Sequence, residues 1–190
     1  STTGSASSEV NNFNFDMLGN PDNLISPIIG GNAGFDSLFV SFDYAYAPGS
    51  DYPGFPGSLE DSLQVNVSTD CGQTMVNIFN QFGNQLITAT NPTAWKNTSF
   101  VPGQGDWKNV SVYLTPLIGS SDFQVFFTYK GNNRNNLYLD NVKVYGIIVP
   151  ELLKKQGYLF YPSPFRNQFI IRNFEQPTGL QNVQIYNNLG

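Results

Sequence analysis

Apolar side chains along this chain recur at every second position, in short runs set apart by Gly, Pro, Asn and Ser clusters. That period is the mark of β-strands. In DSLQVNVS (61–68), Leu63, Val65 and Val67 alternate with Gln64, Asn66 and Ser68. NVSVYLT (109–115) repeats the scheme with Val110, Val112 and Leu114, and DFQVFFTYK (122–130) places Phe123, Val125, Phe127 and Tyr129 on one side. SLFVSFDYAYA (37–47) is apolar and aromatic almost throughout, as befits a central strand covered on both faces. LYLDNVKVYG (137–146) is a further strand, and TMVNIFN with QLITAT (within 74–90) predicts a hairpin. No stretch carries a long 3.6-residue period with caps. The pattern therefore predicts an all-β, antiparallel jelly-roll β-sandwich over residues 13–148, behind a flexible lead-in at 1–12.

The pattern breaks at VPELLKKQG, read as a linker over 149–157, and starts afresh over 158–190. There QFIIRNF and NVQIYN predict two strands of a second, small sheet. A piece of roughly 30 residues cannot bury an adequate core alone, so this is a partial second β-domain. Charge changes sign at the same place. Residues 1–149 hold 12 acids and five bases, whereas residues 150–190 hold two acids and four bases.

Composition removes several functions. A formal charge of −5 and a pI near 4.4 argue against nucleic acid, whose phosphates call for clustered Lys and Arg. With no histidine, Ser-His-Asp and Cys-His catalysis and imidazole-based zinc sites are excluded. Cys71 is the single cysteine; it can form no internal disulfide and reads as a small buried residue. No apolar run reaches the roughly 20 residues that span a bilayer. No leader pattern opens the chain, which reads as a mature or excised piece.

The last strand poses the sharpest chemical question. If Val142 and Val144 face the core, alternation turns Tyr138 and Asp140 inward as well, and a buried carboxylate must be paired, hydrogen-bonded or metal-bound. Asp43, inside the apolar strand, and Asp61, opening DSLQVNV, pose the same problem, and only five cations are at hand in the first domain. Such carboxylates with nearby Asn amides suit a hard cation, above all calcium. A β-bulge at Asp140-Asn141, its carboxylate accepting backbone N–H bonds, is the competing reading.

Five blocks in order, SFDYAYAP (41–48), DSLQVNVSTDCG (61–72), GNQLITAT (83–90), FVPGQGDWKNVSVYL (100–114) and NNLYLDNVKVYG (135–146), resemble secreted modules of the Bacteroidetes. These modules are of the choice-of-anchor J type, related to cleaved-adhesin and MAM-like jelly rolls. The resemblance spans about residues 35–146 and implies a cation at the edge of the sheets. It would be held at Asp140, with Asp43, Asp61 and then Asp36 as further ligands. The tail, YPSPFRNQFIIRNF followed by VQIYNNLG (161–190), resembles the opening of the type A sorting domain of type IX secretion, with Ser163 in place of the usual Asn. That likeness implies a partner in the type IX machinery and a secreted or surface-attached parent protein.

No catalytic set is found. Glu60 and Asp61 are adjacent in a strand and point to opposite faces, so they cannot flank one bond. GNNRNN (131–136) is polar turn sequence rather than a phosphate loop. Binding is the better expectation. Tyr52 and Phe55 lie in the Pro/Gly loop APGSDYPGFPGSLED (47–61) and Trp95 in NPTAWKNT, where they either stack on a ligand or pack their own loops. Trp107 reads as core. The expected function is a non-catalytic, calcium-stabilised extracellular module for glycan or surface-protein attachment. The alternatives are a purely structural module of a surface assembly or an accessory domain of a secreted metallopeptidase.

Overall fold

The computed structural model describes residues 6–15, 20–31, 34–49, 61–95, 97–119, 121–131, 135–155, 158–161 and 170–173. Eight strands form two four-stranded antiparallel sheets. They are β1 (Ser8–Val10), β2 (Pro21–Ile25), β3 (Ser37–Tyr46), β4 (Ser62–Ser68), β5 (Val76–Phe82), β6 (Lys108–Tyr113), β7 (Gln124–Lys130) and β8 (Leu137–Ile147). The first sheet runs β1-β8-β3-β6 and the second β2-β7-β4-β5. This interleaving, with the chain passing from one sheet to the other, is the jelly roll predicted from the sequence.

The period-2 rows meet between the sheets. Leu38, Val40, Phe42, Tyr44 and Tyr46 of β3 pack with Leu63, Val65 and Val67 of β4 and Phe123, Val125, Phe127 and Tyr129 of the β7 segment. Phe42 sits edge-on to Phe127 at 5.2 Å and to Phe79 at 5.4 Å, the favoured geometry for aromatic pairs. β3 is nearly buried on both faces, as its composition predicts. Outward Ala45 and, just past the end of β3, Ala47 form a second cluster with Ala89, Phe100 and Tyr138, against which Trp95 and Trp107 pack half-buried.

Several expectations are corrected. β1 lies inside the supposed flexible lead-in, and Ser8–Val10 pairs with Leu137–Leu139 of β8. Asn12 is also buried, so the sandwich begins before residue 13. The hairpin within 74–90 does not form. Val76–Phe82 pairs with β4, then Gly83 takes a left-handed φ of 51° and turns the chain away. Residues 86–90 instead dock on the end of β3, where Thr88 and Ala89 donate to the Tyr46 carbonyl. Cys71 is exposed, because it occupies a left-handed turn (φ 57°) at the sandwich end rather than a strand.

The chain divides between Ile147 and Ile148. In the second unit a short helix, Glu151–Lys154, occupies the stretch read as linker, and β9 (Tyr158–Tyr161) pairs antiparallel with β10 (Ile170–Asn173). β10 falls within QFIIRNF, but its partner is YLFY; NVQIYN lies outside the described residues.

Two buried tyrosines test the polar order of this core. Tyr44 is fully buried and its hydroxyl has no partner among the described residues, while burial pushes its pKa up to about 12. Tyr129 donates to the buried Asp61 at 2.7 Å. Tyr44→Phe should therefore hold or raise the melting temperature, whereas Tyr129→Phe should cost about 1.5–3 kcal/mol. Urea melts of the two variants check both signs.

Candidate functional site

The structure separates the carboxylates that the sequence singled out. Asp43 and Asp140 are direct register partners on β3 and β8. Asp43 accepts from the side-chain amides of Asn109 and Asn141, each at 2.7 Å. Asp61 lies elsewhere, between the sheets, 1% exposed. Its Oδ2 accepts from Tyr129 at 2.7 Å, Tyr46 at 2.9 Å and Asn12 at 3.2 Å. Asp36 precedes β3, its backbone N–H bonded to the Ile147 carbonyl. Among the described residues, no three His, Cys, Asp or Glu side chains are placed to share a metal ion.

The phase of β8 is the reason Asp140 does not enter the core. Ser41 pairs with Lys143 but Asp43 with Asp140, so an extra residue of β8 bulges out and Asn141 takes φ 52°. The Asp140 carboxylate accepts the Asn141 N–H at 2.7 Å, which is the bulge reading. Leu137 and Leu139 therefore face inward before the bulge and Val144 after it, while Tyr138 turns outward.

Trp95 is half-buried, edge-on to Phe100 at 5.1 Å. Tyr52 and Phe55 lie outside the described residues. The segment that carries both tryptophans is held by polar residues whose role the sequence reading missed. Asn135, 0% exposed, accepts from the Phe100 N–H and donates to the Trp95 and Thr98 carbonyls. Asn136 reaches Glu9 and Ser99 and accepts from the Phe13 N–H. A doubled amide directly before a strand was the available signal. Asp106 accepts from Thr90 N, Thr90 Oγ1 and Gly103 N at 2.8–2.9 Å.

The outer faces of the two sheets differ. On the first, the row Tyr113–Phe39–Tyr145 stands beside Ser111–Ser41–Lys143 and Asn109–Asp43–Asp140, so aromatic, hydroxyl and acidic groups lie in adjacent rows. Phe39 and Tyr145 stack at 5.3 Å. On the second sheet, one row crosses all four strands as Asn23–Thr128–Gln64–Asn80. It is bordered by Ile25–Phe126–Asn66–Asn77 and by Pro21–Lys130–Ser62–Phe82. Ile25 and Phe82, at opposite corners, are 49% and 47% exposed. Thr128 donates to Asn23, and Asn77 to Asn66. Gln64 and Asn80 make no side-chain hydrogen bond among the described residues, so their amides are open to a ligand.

No family model and no curated protein matches the chain. Among solved structures it is similar to one described under the carbohydrate-binding modules of the beta-sandwich superfamily, at 10% identity and TM-score 0.37. That match covers 74% of this chain and 53% of the other, so this chain spans about half its length. It is also similar to a Family 16 carbohydrate binding module, at 12% identity and TM-score 0.35, covering 75% of this chain and 77% of that one. At scores this low neither likeness identifies a ligand.

Two carboxylates set an acid limit on the fold. Asp70, at the STDCG turn, is held at about 2 by hydrogen bonds from the Thr74 hydroxyl, the Thr74 N–H and Ser68. Burial would raise Asp106, but the bonds from Thr90 and Gly103 outweigh it and hold the carboxyl below its ordinary value. A depressed carboxylate contributes stability above its unfolded pKa and loses it as pH falls through the folded one. The sandwich should thus weaken between about pH 4 and pH 2. Asp106→Ala should cost about 2 kcal/mol and red-shift the emission of the chain's two tryptophans, as fluorescence-detected melts would show.

Proposed function

We propose that this chain is a non-catalytic β-sandwich module that attaches a larger secreted protein to glycans, with the outer face of the second sheet as its contact surface. The observation that carries this reading is the row Asn23–Thr128–Gln64–Asn80, in which the amides of Gln64 and Asn80 have no side-chain partner among the described residues. Sugar hydroxyls each need a donor and an acceptor, and a side-chain amide offers both in one plane. Phe82, half exposed beside the row, offers an apolar surface to the C–H side of a ring. The absence of histidine from the sequence supports retention of a ligand rather than turnover.

Secretion belongs to the same reading. It is supported by the YPSPF and IYNNLG blocks, which would address residues 158–190 to a type IX machinery. Calcium belongs to it too, through the Asp43–Asp140 pair rather than all four carboxylates. Turning over the amides of Asn109 and Asn141 would present oxygen beside Asp43, the donor a hard cation requires. A second reading, a structural subunit of a surface assembly, is favoured by exposed Ile28, Phe35, Val142 and Tyr145. Phe35, Val142 and Tyr145 help line one cavity beside the C-terminal half of β8.

A glycan array probed with the parent chain and with Gln64→Ala, Tyr52→Ala and Trp95→Ala separates the two readings. Retention that Gln64→Ala weakens roughly tenfold is expected, a loss of about one hydrogen bond. No retention on any glycan would favour the structural role. Chelation with EDTA should lower the melting temperature by several degrees, as loss of a native-state ligand does. A melt unchanged by EDTA, with no metal found by elemental analysis, removes calcium and leaves the sandwich intact.

A further inference from the structure

We infer that the ligand of this face is an uncharged, linear polysaccharide lying across the strands, with one ring to each strand. The inference rests on the glycan reading above and adds to it the class of glycan and its direction. Two surface properties carry it.

The first is spacing. Neighbouring strands lie about 4.8 Å apart, so the four positions of the polar row span roughly 14 Å. One strand step is close to the length of one pyranose ring in an extended chain. Along a strand, by contrast, positions on one face recur every 6.7 Å or so, longer than a ring. Both directions are partly engaged internally, since Thr128 of the cross-strand row donates to Asn23. Ser68, beyond Gln64 and Asn66 on β4, binds Asp70 and the Gly72 N–H, and the Asn66 amide oxygen is taken by Asn77. The free amides, Gln64 and Asn80, are neighbours across the strands.

The second is charge. Lys130 is the single charged side chain in the three rows. Surfaces of small domains usually carry about a quarter or more charged residues, so a sheet face this neutral departs from the rule. Among the described residues, Asp43 and Asp140 pair across β3 and β8, Glu9 sits on β1 and Asp106 holds the segment over the first sheet; Asp22 stands on β2 next to Asn23, where alternation sets it outside the three rows. A uronate or sulfated chain would meet the acid surplus of residues 1–149 with one lysine to offset it. Among the described residues, an amino-sugar polymer would find no carboxylate in the three rows to pair with. Hydroxyl groups are what the row matches.

The test is calorimetric titration of the full chain with a neutral linear β-glucan, a neutral mannan, a polyuronate and chitosan, together with a ladder of neutral oligosaccharides. Binding to a neutral polymer is expected, with affinity rising up to about four rings and level beyond, one ring per strand of the sheet. Gln64→Ala and Asn80→Ala should each weaken it roughly tenfold while melting with the parent, since neither side chain enters the core. Preference for the polyuronate or chitosan would overturn the inference and leave attachment standing. So would affinity that is level from the disaccharide onward, or amide variants that bind like the parent. No heat with any polymer, joined to an empty glycan array, would overturn both.

Discussion

The contact of two apolar sheet faces is the constraint on which the rest of this molecule depends. Because side chains alternate, each residue committed to that contact leaves its neighbours on the outside. Phe42 meets Phe127 and Phe79 in the middle, and Ser41, Asp43, Thr128 and Gln64 are placed outward in consequence. The core thus arranges two outer faces without making their chemistry alike. One is partly roofed by the segment that carries both tryptophans; the other, where the turn at Gly72 lies against Phe126, is amide-rich and carries Lys130 as the single charged side chain of its three rows.

Polar groups close the ends of this core, and each does so through neutral donors. Asp61 is buried, yet its Oδ2 accepts from two tyrosines and an asparagine drawn from separate segments, a charge compensated by oriented dipoles. Those same contacts push Tyr129 well above its usual range, through burial first and the nearby carboxylate second. Asn12 reaches the cluster only because Gly131 lacks a Cβ, which would collide with the Asn12 amide. At the roof, Asn135 uses all its amide hydrogen-bonding groups on backbone atoms of the tryptophan segment and its own neighbour. These are ties between distant stretches of chain, and they hold in register what apolar contact alone would let slide.

The separation of acidic from neutral surface gives the molecule a direction. Among the described residues, the paired Asp43 and Asp140 lie on the first sheet, and the three outward rows of the second carry Lys130 as their one charged side chain. The exposed apolar positions beside the C-terminal half of β8 form a separate feature.

The period-2 rows of β4, β6 and β7 were legible directly, because each strand buries one face and the alternation records which. The two-sided burial of β3 was legible too, from a run with almost no polar residue. The neutral ladder was visible in part: Gln64 and Asn66 could be assigned to the outward side of their strand, but not the strands that would lie beside them. Register joins Asn23, Thr128 and Asn80 to Gln64, with Asn23 and Thr128 more than a hundred residues apart, and local pattern carries no record of such pairing. The same limit explains Asp140. Composition marked it as a carboxylate in an apolar strand, but one extra residue reverses the phase, and only pairing with β3 reveals the bulge. The sequence by itself determined which residues seek the core, since burial follows from side-chain chemistry and a local period. Which outward groups become neighbours was decided by the tertiary structure alone, because that depends on strands brought together from distant parts of the chain.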